Sequence, residues 1–292
     1  MKTHWILIPL CLGLLAGGAR AEQVRLRKDF TAAGEKRLVI NLEVGAATMK
    51  LGSHAGAPLV RVDILHGAGM APQLNYKRTG ADGRLTITSK QDDSKGFSIL
   101  GSGKKGLVKD AWTVSISRDL PCVLDVGFGL GSGTADFGGL TIEELTFATG
   151  LSEVELSFSS PCPGTARKVE LATGLGSMEV KGLSNLRMNA LTFAGGMGSA
   201  MLDFSGKYRQ NLNVVLDVGM GSLSLRVPEA LGVKIRHDDN FLSSHEFDRL
   251  ERSSNNTWFS SNWREGPGNL SFELSVGMGS VDLEWLSEKG RK

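Results

Sequence analysis

Between Val214 and Leu225, apolar residues alternate with mostly polar ones up to Gly219-Met220-Gly221-Ser222, and the alternation resumes beyond it. The same unit recurs seven times, at corners that begin with Gly45, Gly129, Gly150, Gly174, Gly196, Gly219 and Gly277. From Gly129 to Gly219 the steps are 21, 24, 22 and 23 residues, and the last step is 58. The residues five and three before each corner glycine are apolar in every unit. They are Ile40 and Leu42, Leu124 and Val126, Leu145 and Phe147, Val169 and Leu171, Leu191 and Phe193, Val214 and Leu216, and Phe272 and Leu274. The residue between them is polar (Asn41, Asp125, Thr146, Glu170, Thr192, Glu273) except at Val215. A period of two predicts a strand with one buried face. Beyond the corner the apolar set falls four and six residues on, as in Val154 and Leu156, Met178 and Val180, Leu223 and Leu225, and Val281 and Leu283.

The apolar set therefore changes parity at the corner. A straight strand cannot do this, so the chain must bend or bulge there. Glycine supplies the backbone freedom. The Leu or Met between the glycines is expected to plug the core at the bend, where a flexible methionine suits an irregular gap. Two strand segments and a bend cannot bury a face alone, but stacked copies can. The pattern predicts an all-β chain: a β-solenoid-like stack of parallel β-helix type, built from 21–24-residue glycine-cornered rungs, with an N-terminal strand and hairpin region.

The remaining chain is read around these units. Residues 1–21 read as a secretory signal peptide, with Lys2 and His4 at the start, an apolar run from Ile6 to Leu15, and Ala19-Arg20-Ala21 before the cut at Glu22. Residues 22–121 form an N-terminal β region holding the first unit. Within it Val60, Val62 and Ile64 make a strand, Leu74 and Tyr76 pair with Leu85 to Thr88 as a hairpin, and Trp112, Val114 and Ile116 make another strand. Residues 91–109 read as a flexible surface loop. Its Gly101-Ser102-Gly103-Lys104-Lys105-Gly106 lacks the strand before and helix after that a dinucleotide site requires. Residues 122–286 carry the dense repeats, interrupted by an insertion at 237–268, and 287–292 form a solvated tail. The stretch 22–286 is expected to be one continuous domain.

Composition alters this picture little. Of 292 residues 41% are hydrophobic and 22% charged, ample for a core. Cleavage would remove Lys2 and Arg20 from the 33 bases, leaving 31 against 31 acids. With no basic stripe interleaved with aromatics, nucleic acid is not an expected partner. After cleavage no run is long enough for a membrane span. Cys122 and Cys162 would remain, and they read either as a disulfide or as two small buried apolar residues.

The search for chemistry yields no catalytic set, cofactor site or metal signature. His237-Asp238-Asp239 and His245-Glu246 cluster imidazoles with carboxylates at a spacing that fits no zinc signature. The outward acids Asp125, Asp136, Glu155, Glu170, Glu179, Asp203 and Asp217 stack at intervals that bring carboxylates close by geometry alone, so proximity carries no specificity. The insertion holds Trp258, Phe259 and Trp263, which read either as part of a cap over the rung edges or as a ligand or partner surface. The first functional reading is an exported, non-enzymatic binding or scaffold protein that meets an envelope protein or polymer. The alternative is an enzyme acting on carbohydrate or cell-wall polymer, with an acid pair beside those tryptophans.

Gly219-Met220-Gly221-Ser222-Leu223-Ser224-Leu225-Arg226-Val227-Pro228, followed by Gly232-Val233, resembles the toast-rack domain of the cell-wall-active antibiotics response proteins. It is also similar to adhesin-like β-helical repeat proteins of bacteria. Leu202-Asp203-Phe204-Ser205-Gly206, the Phe247 to Trp258 segment and Val276-Gly277-Met278-Gly279-Ser280-Val281 extend the likeness over residues 36–286. The resemblance implies a bacterial, repeat-built all-β domain without known catalysis. It also implies a place at the cell envelope, in the periplasm or outside, and a part in adhesion or envelope stress. Unlike membrane-anchored members, this chain has no hydrophobic span beyond its signal.

Overall fold

The computed structural model describes residues 23–89, 110–237, 242–253 and 255–287. The signal segment, the 91–109 loop with its glycine motif, Asp238 and Asp239, and nearly all of the 287–292 tail lie outside the described residues. The elements are β1 (Gln23–Phe30), β2 (Arg37–His54), β3 (Val60–Gly67), β4 (Gln73–Thr79), β5 (Asp82–Thr88), β6 (Asp110–Ser117), β7 (Cys122–Asp136), β8 (Ile142–Ser157), β9 (Lys168–Lys181), β10 (Ala190–Asp203), β11 (Leu212–Pro228), β12 (Gly232–His237), β13 (Ser243–Glu246), β14 (Leu250–Arg252), β15 (Thr257–Ser260) and β16 (Asn269–Leu286). One short 3-10 turn at Leu183–Asn185 is the only helical element among the described residues.

All of these strands belong to a single sheet. Its centre is a parallel ladder in the order β2-β7-β8-β9-β10-β11-β16, each strand being one repeat unit. The seven corners are in register: Ala46, Leu130, Leu151, Leu175, Met197, Met220 and Met278 form one column. The apolar positions before and after the corner point inward as the periodicity predicts, and Phe147, Phe193, Phe272, Leu156, Leu202 and Leu225 are fully buried. Return segments close each rung and add Phe137, Phe158, Phe204, Leu183 and Leu186 to the core.

The corner departs from expectation in one respect. The Leu or Met between the glycines does not plug the core: Leu151, Leu175, Met197, Met220 and Met278 stand exposed at 38–50%. The parity change is taken up by two consecutive outward residues, the first glycine and the Leu or Met. The second glycine then turns inward with left-handed φ, +133° at Gly131, +122° at Gly176, +136° at Gly198, +146° at Gly221 and +139° at Gly279. A Cβ at Gly198 would lie 1.9 Å from the Gly176 carbonyl oxygen, and one at Gly221 1.8 Å from that of Gly198. At the first glycine the clash repeats, 2.3 Å from Gly174 O at Gly196. Each rung thus aims two carbonyls at the corner above, which is why two glycines are spaced by one residue. Ala47 and Ser152 take the inward place in β2 and β8 without left-handed φ.

Two of the recurring acids are structural. Asp136 accepts hydrogen bonds from Ser159 Oγ (2.6 Å), Ser159 N (3.1 Å) and Gly138 N (3.0 Å), and Asp203 accepts one from Ser205 N at 2.6 Å. Both fix the turn that follows their strand. Burial pushes the Asp136 carboxyl up, but its donors prevail and hold it below the usual carboxylate value. A depressed native value contributes stability above the unfolded Asp range, near 3.9, and that stability is lost as pH falls through the native value. Asp136→Asn is therefore expected to lower the melting temperature at pH 7, with the gap from wild type shrinking below about pH 4. A gap that stays constant from pH 7 to pH 3 would remove the carboxylate from this role.

Each end of the ladder closes on a parallel rung split between two strands. At the N-terminal end β5 pairs parallel with the first half of β2 and β6 with its second half, β4 runs antiparallel on β5, and β3 and then β1 run antiparallel beyond β6. At the other end β12 pairs parallel with the first half of β16 and β13 with its second half. Together they make an eighth, split rung, over which β15 and β14 run antiparallel.

Candidate binding surface

The split rung shows what the insertion does. His237 is in register with Leu274 and His245 with Val281, so two histidines fall in columns that are apolar elsewhere. His237 is fully buried, with Nδ1 3.3 Å from the Leu274 carbonyl oxygen. The His245 ring stacks on Phe247 at 4.7 Å and meets Trp258 edge-on at 4.9 Å; Trp258 also packs on Phe247 at 5.3 Å. Arg252 lies over the Trp258 ring, 5.1 Å from its centre. These rings cover the exposed end of the last full rung.

Trp258 is accordingly 5% exposed and offers no free ring face to a ligand. Phe259 and Trp263 pack together at 6.0 Å and are half-buried. Of the three aromatics singled out in the sequence, these two retain some surface. Among the described residues no group of three or more His, Cys, Asp or Glu is placed to hold a metal ion.

Cys122 and Cys162 are both fully buried free thiols. Cys162 Sγ donates to the Phe137 carbonyl at 3.4 Å. Burial, then the neighbouring Cys162 and Glu143, pushes the Cys122 thiol up to about 12, and burial takes Cys162 to about 11. Such thiols stay protonated and unreactive at neutral pH. An alkylating reagent is expected to label neither in the native protein and both after denaturation without reductant. Failure to label the unfolded chain would show that they are bonded.

The surface feature the sequence reading missed is the outside of the bend. The Leu and Met column runs down it, bordered on one side by the corner glycines and the small residues Gly127, Ala148, Ala172 and Ala194. On the other side runs a column of Ser132, Glu153, Ser177, Ser199, Ser222 and Ser280. A shallow depression of about 360 Å³ lies along Leu130, Leu151 and Leu175. A second depression, of about 450 Å³, lies elsewhere, between Asp203, Arg209 and Pro228. The place of this apolar column between the corner glycines was readable; its direction was not.

A rack of parallel rungs with this corner is the architecture of a repeat-built β domain, and comparison with known proteins places it more narrowly. The family described as the N-terminal domain of toast_rack, DUF2154, matches residues 18–181, and the chain belongs to that family. No curated protein matches. Among solved structures, a "putative cell adhesion protein" from Clostridium sporogenes is similar at 15% identity, covering 91% of this chain and 100% of its own, with a TM-score of 0.44. A "putative adhesin" from Bacteroides fragilis shares 12% identity over 90% of this chain and 97% of its own, with a TM-score of 0.39. A "putative lipid binding protein" from Parabacteroides distasonis shares 15% over 92% and 98%, with a TM-score of 0.29. No helix among the described residues is long and apolar enough to cross a membrane.

Proposed function

We propose that this chain is an exported, non-enzymatic binding or scaffold protein of the bacterial envelope, and that it acts by presenting the outer faces of its rungs to an envelope protein or polymer. The observation that carries this reading is the exposed Leu and Met column at the bend. Nine large apolar residues among those described are exposed, and five of them lie in this one column. Scattered apolar residues on a surface need no explanation, whereas an aligned set marks a contact face. The enzyme reading asked for an exposed Trp258 or Trp263 beside converging acids; Trp258 is buried and Trp263 half-buried against Phe259. The signal-like segment supports export and leaves the destination, periplasm or exterior, to measurement.

The test is fractionation of a bacterium producing the full chain with a C-terminal tag, followed by crosslinking in intact cells. Recovery from the envelope or periplasmic fraction with an N-terminus at Glu22, crosslinked to an envelope component, is the expected result. A cytoplasmic chain that keeps residues 1–21 would overturn the exported reading.

A further inference from the structure

We propose that the outer face of the bend across β7 to β11 docks a cationic amphipathic helix of a partner protein. This rests on the binding-protein reading above and names the partner's chemistry.

The face has the shape of a trough with one apolar wall. From β7 to β10 its floor is made of Gly127, Ala148, Ala172 and Ala194 beside Gly129, Gly150, Gly174 and Gly196, with no long side chain on it, and at β11 Asp217 stands in the same column. One wall is the Leu130, Leu151, Leu175, Met197, Met220 column. The other is the column of Asp125, Thr146, Glu170, Thr192 and Val215, five residues away along the strand. Five residues span about 16 Å, room for one helix of about 10–12 Å diameter. Rungs repeat every ~4.8 Å and helix turns every ~5.4 Å, so a helix along the stack meets roughly one rung per turn. Met197 and Met220 add side chains that reshape to a partner.

Charge decides which helix. The four outward columns nearest the Leu and Met column, two on each side, carry eight acids and no base in β7 to β11 and β16: Asp125, Glu153, Glu155, Glu170, Glu179, Asp217, Glu273 and Asp282. Bases at the margins answer some of them. Lys168 pairs with Glu170 at 3.0 Å, Lys181 bridges Glu155 and Glu179 at 3.1 and 3.0 Å, and Arg236 is in register with Glu273. Asp125, Glu153, Asp217 and Asp282 make no ion pair among the described residues. An apolar ridge between unneutralised acids on both sides complements a helix whose apolar stripe is flanked by Lys or Arg. A second copy of this chain would set acid columns against acid columns, and an anionic membrane would meet the same repulsion.

The experiment uses the purified full chain and a synthetic 18-residue helix with a leucine stripe flanked by lysines, followed by titration calorimetry at low and high salt. Binding that weakens about tenfold or more on raising salt, and again in Met197→Ser/Met220→Ser and in Glu153→Lys/Asp217→Lys, is the expected result. These side chains are exposed, so the melting temperature should not move, and circular dichroism checks this. Equal binding of a peptide with Glu for Lys, of a scrambled lysine peptide without the stripe, or of the parent peptide by both variants would overturn the proposal. So would self-association that the serine variant dissolves, which would assign the face to a second copy. Peptide binding that appears only after deletion of 90–109 would assign the face to that segment instead. Because the assay needs neither export nor an envelope, a negative result here leaves the exported reading standing, and the reverse also holds.

Discussion

Gly221→Ala should leave the chain insoluble or lower its stability by about 4 kcal/mol or more, among the largest effects a single methyl group produces. Gly221 has φ +146°, where an L side chain is strained, and its added Cβ would fall 1.8 Å from Gly198 O and 3.0 Å from Gly198 N. Those are backbone atoms of the rung beneath, held by the ladder on both sides, so no side chain can swing away. The rungs must part, and Gly279, stacked 1.8 Å by the same measure over Gly221 O, parts with them. Gly198→Ala should behave alike. The control is Ser222→Ala one residue on, outward and exposed, expected within about 0.5 kcal/mol of wild type. Denaturant midpoints decide: a Gly221→Ala protein melting with the control would refute the stacked-carbonyl account of the corner.

Phe204→Ala should cost about 3–5 kcal/mol. Phe204 is fully buried in the return segment after β10, edge-on to Phe272 at 5.4 Å. Its backbone is pinned from both sides, the N–H donating to Arg226 O at 2.8 Å and the carbonyl accepting from Ser184 Oγ at 2.7 Å. The surroundings therefore cannot collapse into the space left by the ring, and the cavity remains as well as the lost burial. Phe204→Leu, which keeps most of the volume, should cost distinctly less. Similar midpoints for the two variants would mean that the site relaxes freely and that the return segment is looser than its hydrogen bonds indicate.

The inward columns were legible because period two is hard to produce by accident over seven copies. Ile40, Leu124 and Val214 named their own face. The glycine corner was legible as a bend for the same reason. The direction of the residue within the bend was not. A parity change is satisfied equally by two consecutive inward or two consecutive outward residues, and hydrophobicity alone favours the first for Met220. The decision lies in the carbonyl of the rung below, which at the left-handed corners leaves no room for a side chain on the inside and so turns Met220 out. The eighth rung was hidden for a different reason. After Val233 and Ile235 its inward places pass to His237 and His245, polar types that break the pattern, and its halves are separated in sequence. The aromatic cluster was visible, but a list of rings does not say that Trp258 closes over two histidines. The outward charges were legible one by one, whereas their arrangement around an exposed apolar line required the register.

A parallel ladder of near-identical rungs is a template for its own extension, and the chemistry of cross-β fibrils differs from it mainly in having no stopping rule. Here the outer pairings mostly reverse direction, through β4, β3 and β1 at one end and β15 and β14 at the other, and the one strand that ends in the sense of the rungs, β13, is four residues long. A newcomer adding in the sense of the rungs finds mostly strands of the opposite polarity, all much shorter than a rung. Ends of this kind work against open-ended extension of the ladder.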